Sequence, residues 1–307
     1  MGLRAARHRR SLDTKHVRSL GPHPGQERLL ELQSLHALRQ IVGRTTMISR
    51  FHARVAVLSM VTALAVSTLS AAQGEVAADT TAACSPVTGD VSAAQALAWG
   101  APTWCAEFDD AVDPADWVFY DSPGHAGNGR RSPEQLYLGN GALYLYGRPD
   151  GTTAGLATKH SQTYGRWETR VRLYPGAGSY HPVVLLWPKE GGGAVRSSTS
   201  EEVDFLEVIN DPDRQRPNFF LHTPQGQEQA NANVDMTTWH TYAVENTQNG
   251  VVGYLDGQEW FRSPNATHSP MSVCLQLDWF PGQGSAGEAW MEVDWLRIYP
   301  LQAADTG

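Results

Sequence analysis

Short runs of alternating apolar and polar residues, separated by turn residues, fill the chain from residue 99 onward. In residues 167–173, apolar Trp167, Val171 and Leu173 alternate with charged residues, which predicts a strand with one wet face. Residues 183–187 are continuously apolar, as in a strand near the centre of a packed sheet. The segment also lacks heptads, internal repeats and a convincing helix. The pattern therefore predicts an all-β fold, a jelly-roll-like sandwich of two antiparallel sheets.

Further strands and turns follow from the same pattern. Gly139-Asn140-Gly141 and Asp256-Gly257 predict tight turns, and the glycine-rich residues 190–199 predict a surface loop. Additional strands are predicted at 136–138, 142–146, 219–222, 239–244, 251–255, 271–277 and 291–299.

The N-terminal part of the chain differs in character from the rest. Residues 1–46 hold nine Arg or Lys and three acidic residues, and we expect them to be an extension upstream of the true start. A basic segment from Met47 precedes an apolar run at 55–69 and then small residues, which is typical of a secretory signal peptide spanning 47–78. That run is short for a membrane-spanning helix. The prediction is a secreted protein whose single domain occupies residues 79–307.

The charge of residues 79–307 limits the partners of the predicted domain. It has 13 basic and 28 acidic residues, a net charge of −15. Long-range repulsion then disfavours nucleic acids and anionic membranes, so a neutral partner fits better. The three cysteines are expected in an oxidising compartment. Cys84 and Cys105 are the predicted disulfide, and Cys274, in an apolar run, is predicted to be a buried thiol.

One predicted strand, 202–207, carries three acidic residues. Alternation places Glu202 and Asp204 on one face, whereas Glu207 has the wrong parity unless the strand contains an extra residue. A β-bulge at Phe205-Leu206 would return Glu207 to the face of Glu202. Incidental acids on a solvated strand are the alternative interpretation.

Paired carboxyl groups on one face have a chemical use. Retaining cleavage of a glycosidic bond needs an ionised carboxylate as nucleophile and a carboxylic acid roughly 5 to 5.5 Å away. A third acid between them can keep their pKa values apart. Bringing the two glutamates together also predicts a concave sheet, which a polysaccharide cleft requires. The strand therefore predicts a glycosidase in which Glu202, Asp204 and Glu207 are the catalytic residues.

The segment Glu202-Val203-Asp204-Phe205-Leu206-Glu207 resembles the E-x-D-x-x-E signature of glycoside hydrolase family 16 in its bulged form. Five further blocks resemble strands of that family in its order: 164–168, 184–188, 239–245, 254–257 and 293–299. The resemblance implies a jelly roll of two curved sheets with a concave substrate cleft. It also implies that Glu202 is the nucleophile, Asp204 the assisting acid and Glu207 the general acid/base.

The bulged form within this family is typical of laminarinase-like members, which implies a secreted endo-β-1,3-glucanase, with mixed β-1,3-1,4-glucan as the next candidate. The alternatives are a transglycosylase or β-galactanase of the same family and a non-catalytic lectin on the same fold. We expect a monomer that needs no cofactor for catalysis.

Other residues of the predicted site are expected to bind sugar. Trp187 and Trp279 are candidates for stacking on sugar rings, although either could belong to the core. His222 resembles a histidine near the cleaved bond, or it is a structural histidine. Arg131 and Glu134 resemble a loop that contacts sugars on the non-reducing side.

Four positions bear on metal binding and on departures from the family. Asp294 and the Gly141 carbonyl match the positions of a structural calcium site, and calcium prefers oxygen ligands; Asp294 could instead bond the backbone. Glu201 stands where glycine often precedes the motif, and alternation predicts that it faces solvent. Asn246 stands where a tryptophan is frequent, which puts a substrate subsite in doubt.

Overall fold

The computed structural model describes residues 84–85, 91–189 and 199–302. The predicted upstream extension (1–46), the signal peptide (47–78) and the glycine-rich loop at 190–198 therefore lie outside the described residues. The chain divides into two compact units, Met1–Ser59 and Met60–Gly307, and all described residues belong to the second. Within them, no helix is both long and apolar enough to cross a bilayer.

Strands make up most of the described residues, joined by a one-turn helix, α1 (Ala93–Ala96), and two 3-10 turns (His125–Gly127 and Pro133–Gln135). The strands are β1 (Trp104–Ala106), β2 (Trp117–Phe119), β3 (Ser122–Pro123), β4 (Arg130–Arg131), β5 (Leu136–Gly139), β6 (Ala142–Gly147), β7 (Thr152–Thr153), β8 (Gly155–Gln162), β9 (Gly165–Leu173), β10 (Tyr180–Pro188), β11 (Glu202–Glu207), β12 (Asn218–Thr223), β13 (Gly226–Asn231), β14 (His240–Thr247), β15 (Gly250–Leu255), β16 (Gln258–Ser263), β17 (Met271–Trp279) and β18 (Ala289–Tyr299).

Two large antiparallel sheets form the sandwich, which confirms the predicted fold class. One has the order β16-β15-β14-β9-β18-β6-β5 with β1 added beside β18, and the other has the order β13-β12-β11-β10-β17-β8-β2. We call the second the catalytic sheet because it contains β11. A small third sheet has the order β3-β4-β7, and Thr153 of β7 donates a side-chain hydrogen bond to the carbonyl of Leu277 in β17. The continuously apolar run at 183–187 belongs to β10, the central strand of the catalytic sheet.

The main hydrophobic core combines side chains from both large sheets. Leu143 and Trp167 of the first sheet belong to the same buried cluster as Val184, Phe205 and Leu275 of the catalytic sheet. These residues alternate along their strands with residues of the opposite face. The apolar alternation in the sequence therefore records which face of each strand packs between the sheets.

Backbone geometry explains the two predicted turns. Asn140 and Gly141 both have positive φ, as do Asp256 and Gly257. Two successive positive φ values are what a two-residue hairpin turn with the correct twist requires, and Asn, Asp and Gly tolerate them best. These turns connect β5 to β6 and β15 to β16.

The N-terminal segment and its contacts confirm one sequence-based expectation and correct another. The predicted disulfide between Cys84 and Cys105 is present, and Cys274 is buried and free. The predicted wet face of β9 is wrong at Glu168, which is fully buried. The helix α1 covers it: Glu168 accepts hydrogen bonds from the backbone amides of Ala93 (2.6 Å) and Ala94 (3.4 Å). Burial raises the pKa of Glu168 to about 7.

Candidate active site

A β-bulge in β11 brings the three acidic residues to one face of the catalytic sheet. Glu207 lies opposite Val183 of β10, and Asp204 lies opposite Leu185. Val183 and Leu185 are two residues apart and share a face, so Asp204 and Glu207 share it too, although they are three residues apart. The extra residue falls at Phe205-Leu206, where the pairing with β12 also shifts. Both of those side chains enter the core between the sheets.

The three carboxyl groups differ in depth. Asp204 is 4% exposed, whereas Glu202 and Glu207 are half-buried. His222 lies opposite Glu202 on β12, and its Nε2 is 3.3 Å from Oδ2 of Asp204. The structure therefore brings His222 to the carboxyl groups, as predicted. The accessible glutamates lie on either side of a deeper aspartate.

Burial and mutual repulsion change how these groups ionise. Burial, followed by the charge of Asp204, raises the pKa of Glu202 to about 9. Burial and the charge of Glu207 raise the pKa of Asp204 well above its ordinary value. With the pKa of Glu202 at about 9, the pair of carboxyl groups retains at least one proton at neutral pH. Two adjacent carboxyl groups in a desolvated site resist carrying two charges, which explains these shifts.

An apolar floor lies beside the carboxyl groups. Val183 and Leu185 of β10 pack with Tyr120 and Cys274, and the half-buried Trp187 packs against this cluster. Trp187 has the same parity on β10 as Val183 and Leu185, so it lies on the carboxyl-bearing face. Its predicted place beside the acids is consistent with this geometry.

Arg131, predicted to contact sugars, lies near this face and is paired within the protein. It is 5% exposed, and its Nε and Nη2 donate to Oδ1 of Asp278 at 3.2 and 2.5 Å. Its guanidinium also stacks on the ring of Tyr120, 5.4 Å from the ring centre. A buried pair of this kind is costly to break, by roughly 3 to 5 kcal/mol. Arg131 therefore serves the architecture of the floor.

Two other predicted sugar-binding residues are not brought to the carboxyl groups. Trp279 packs against the core between the sheets, because it continues the alternation of Leu275 and Leu277, which face that core. Its ring also lies against the backbone of Gly151, where an added Cβ would be 2.4 Å from it. Glu134 is exposed in a 3-10 turn, and its charge acts on Tyr137 of β5, in the other large sheet.

Sequence reasoning missed two residues of the carboxyl-bearing face, Asp278 and His181. They lie opposite each other on β17 and β10. The charge of Asp278 contributes to the raised pKa of Asp204, and Nδ1 of His181 lies 3.8 Å from Oε1 of Glu207. The signal for Asp278 was available: it alternates with the core residues Leu275 and Leu277, so parity places it, and not Trp279, with the acids.

Metal binding was predicted at Asp294 and Gly141. The carboxylate of Asp294 instead accepts a hydrogen bond from Nη1 of Arg170 at 2.7 Å. A guanidinium at that distance opposes a second cation, so the donor set does not fit calcium, and the calcium site stays a prediction without support.

Two other groups of side chains within the described chain have ligand atoms close enough to hold a metal ion. One is Glu202, Asp204 and His222, in the carboxyl cluster itself. The other contains Cys84 and Cys105, which are joined to each other as a disulfide.

A family model described as glycosyl hydrolases family 16 matches residues 130–297, a span that contains β11 with all three acids. The chain belongs to this family. Membership makes it a glycoside hydrolase, and it accounts for the conjunction of a two-sheet sandwich with three carboxyl groups on one strand.

Known proteins of similar sequence and structure agree with the assignment to glycoside hydrolase family 16. A β-glucanase of Rhodothermus marinus is 28% identical over an alignment of 241 positions that covers 64% of this chain and 84% of that protein. The catalytic domain of an endo-1,3-β-glucanase (laminarinase) from Thermotoga petrophila has the same fold, with a TM-score of 0.58 and 22% identity over 66% of this chain and 98% of its own. A non-specific endo-β-1,3(4)-glucanase of family 16 gives a TM-score of 0.57 and 21% identity over 66% of this chain and 91% of its own.

The two departures from the family 16 pattern have structural explanations. The prediction that Glu201 faces solvent is wrong. It is 4% exposed and accepts hydrogen bonds from the backbone amides of His268 (2.8 Å) and Ser269 (3.1 Å). Asn246 is fully buried, and its amide donates to the carbonyls of Thr163 and Thr267 at 2.7 and 2.9 Å. Both residues hold loops in place.

Proposed function

We propose that this glycoside hydrolase is a secreted, retaining endo-β-glycosidase that cleaves internal β-1,3 or mixed β-1,3-1,4 linkages of a neutral polysaccharide. The observation that carries the proposal is the bulge at Phe205-Leu206, which leaves Glu202, Asp204 and Glu207 on one face. A regular strand would have turned Glu207 into the core. The proposed enzyme acts as a monomer and uses no cofactor in catalysis.

The proposed reaction is a double displacement. Glu207 gives a proton to the glycosidic oxygen while a carboxylate oxygen of Glu202 forms a bond to the anomeric carbon and the glycosidic C–O bond breaks. Glu207, now ionised, takes a proton from water, and that water oxygen replaces Glu202 at the anomeric carbon. Both displacements invert the anomeric carbon, so the product keeps the original configuration.

The nucleophile must be ionised, although Glu202 and Asp204 retain a proton between them. Asp204 is the more deeply buried of the two, and a charge is most costly where burial is deepest. The shared proton therefore belongs on Asp204 when substrate fills the cleft, and Glu202 is left as the carboxylate. This is the role of the assisting acid in the proposal.

Charge and neighbouring side chains support a neutral substrate. The net charge of −15 for residues 79–307 opposes the approach of polyanions. The cleft-facing positions of the edge strand β13, opposite Asn218, Phe220 and His222, are Asn231, Gln229 and Gln227. Amide side chains can both donate to and accept from sugar hydroxyls. Trp187 offers an apolar surface on the same face.

The linkage is proposed from the relatives, whose printed functions are β-glucanase, endo-1,3-β-glucanase and endo-β-1,3(4)-glucanase. Secretion is proposed from the signal-peptide pattern at 47–78 and agrees with the Cys84–Cys105 disulfide.

A polysaccharide panel tests the function. The purified protein is incubated with laminarin, barley β-glucan and agarose, and new reducing ends and the lengths of the products are measured. We expect laminarin and barley glucan to yield short oligosaccharides. Cleavage of agarose alone would favour a β-galactanase. If short acceptor sugars are added to the reaction, products longer than those acceptors would favour a transglycosylase. Binding to laminarin without new reducing ends on any substrate would identify a lectin and refute the hydrolase.

A further inference from the structure

His181 is a buried histidine next to the proposed acid/base. It lies on β10, two residues before Val183, which is opposite Glu207. The ring is 2% exposed and stacks on Phe280, with 4.1 Å between ring centres and 24° between ring planes. The stack fixes the plane of the imidazole, so its two nitrogens have fixed directions.

The surroundings of the ring determine its tautomer. The backbone amide of Asn210 donates a hydrogen bond to Nε2 at 3.3 Å. A nitrogen that accepts a hydrogen bond carries no proton, so in the neutral imidazole the proton is on Nδ1. Nδ1 is buried and has no hydrogen-bond partner among the described residues. Oε1 of Glu207 lies 3.8 Å from it, about 1 Å beyond the length of a charge-assisted hydrogen bond.

An unpartnered N–H beside the acid/base has a use in the reaction. A buried donor without a partner costs roughly 1 to 3 kcal/mol, so the fold tolerates it only where something compensates. When Glu207 has given its proton to the leaving oxygen, it is a carboxylate in a site filled by substrate. A small rotation of the Glu207 side chain would then close the gap to Nδ1.

We propose that His181 is a positioning residue for Glu207, whose Nδ1–H donates a hydrogen bond to the Glu207 carboxylate after proton transfer and keeps it aimed at the reacting oxygen. This inference rests on the proposed function. The charged groups around the pair are Asp204 and Glu202 on β11, Asp278 on β17 and the exposed His125 beyond Phe280. Asp278 is already paired with Arg131, which leaves Glu207 as the acceptor for His181.

Two substitutions separate the nitrogens of the ring. In His181→Asn, the side-chain amide nitrogen can stand near the position of Nδ1, whereas in His181→Gln the amide reaches towards the position of Nε2. His125→Asn is the matched control, because the His125 ring also packs on Phe280, tilted by 39° with 4.8 Å between ring centres, and its Nδ1 contacts Asp278 rather than Glu207. Melting curves and near-UV circular dichroism check that each variant is folded.

The readout is the dependence of kcat/KM on the leaving group. Cleavage of a 2,4-dinitrophenyl β-laminaribioside needs no acid for departure of the phenol, whereas cleavage of laminarin does. We expect His181→Gln to lower kcat/KM on laminarin by roughly 10- to 100-fold, the usual effect of losing a supporting contact, and to change it less than threefold or so on the aryl glycoside. His181→Asn should recover most of the loss, and His125→Asn should match the wild type on both substrates.

Equal losses of His181→Gln on both substrates, no loss on laminarin, or failure of His181→Asn to improve on it would each overturn the inference. Glu207→Gln separates that failure from failure of the proposed function. If Glu207→Gln keeps activity on laminarin, or loses it equally on both substrates, the acid/base role itself is wrong. If only the His181 variants depart from expectation, the proposed function stands and the positioning role fails. In the Glu207→Gln background, His181→Gln should cause no further loss on laminarin.

Discussion

At the scale of residues, the site depends on protons shared between close carboxyl groups. Glu202 and Asp204 are adjacent in a poorly hydrated site. Burial raises both of their pKa values, and the charge of Asp204 adds to the shift of Glu202, whereas the charge of Glu207 adds to that of Asp204. Glycosidases need two carboxyl groups in different protonation states, and a site that resists multiple charges supplies that condition. The same effect makes the stability of the protein depend on pH.

The first prediction concerns that dependence. The unfolded chain releases the proton of Glu202 near its ordinary pKa of 4.5, whereas the folded protein holds it up to about 9. The stabilisation is present below 4.5 and is lost as the pH rises towards 9. In urea unfolding, Glu202→Gln should therefore gain on the wild type by roughly 1 to 3 kcal/mol between about pH 5 and about pH 8. The exposed Glu134→Gln is the control. Parallel pH profiles for wild type and Glu202→Gln would contradict the raised pKa.

At the scale of elements, the bulge in β11 decides whether the acids can cooperate. Phe205 and Leu206 both point into the core, so one more residue separates Asp204 from Glu207 than in a regular strand. Removing Leu206 would leave Glu207 two positions after Asp204, again on the same face. Function therefore depends on the face that Glu207 occupies, and the bulge matters because it sets that face in the native strand.

The second prediction follows from this parity. Deleting Leu206 should lower the free energy of unfolding by roughly 2 to 5 kcal/mol, because a buried leucine is lost. The folded variant should nevertheless hydrolyse laminarin at least about tenfold faster than Glu207→Gln, since the carboxyl group stays on the cleft face. Stability is measured by urea unfolding and activity by reducing-end release. A folded deletion variant no more active than Glu207→Gln would show that placement on the face is insufficient.

The sequence predicted these elements where the information is local. Alternation located the strands, Asn-Gly and Asp-Gly located two turns, and the parity of Glu207 located the bulge. The positions of Glu201 and His181 depend on partners distant in the chain or across the sheet. The amides that satisfy Glu201 come from residues 268 and 269, and the neighbour of His181 depends on the register between β10 and β11. No local pattern encodes such contacts. Trp279 was misplaced although its alternation with Leu275 and Leu277 was visible.

At the scale of the whole molecule, the sandwich separates catalysis from the anchoring of the N-terminal segment. The Cys84–Cys105 disulfide fixes that segment to β1, which pairs with β18 of the first large sheet. The carboxyl groups lie on the other sheet. We therefore expect the bridge to support stability without a part in the chemistry.

The third prediction tests this separation. The bridge closes a loop with a sequence separation of 21 residues, and a loop of that size corresponds to about 3 kcal/mol of stabilisation. The double variant Cys84→Ser/Cys105→Ser should unfold at correspondingly lower urea concentration and melt at a lower temperature. Its kcat on laminarin at room temperature should equal that of the wild type. A large loss of kcat in the folded double variant would mean that the bridge shapes the cleft.

The proposed reaction is a double displacement on a β-glucan by Glu202 and Glu207. The most direct measurement is proton NMR of the anomeric signals in the first minutes of hydrolysis of laminarin or barley β-glucan, before mutarotation mixes the anomers. We expect the β-anomer of the new reducing end to appear first and the α-anomer later, because two inversions at the same carbon retain its configuration. First appearance of the α-anomer would mean a single displacement by water and would contradict the assignment of Glu202 as nucleophile.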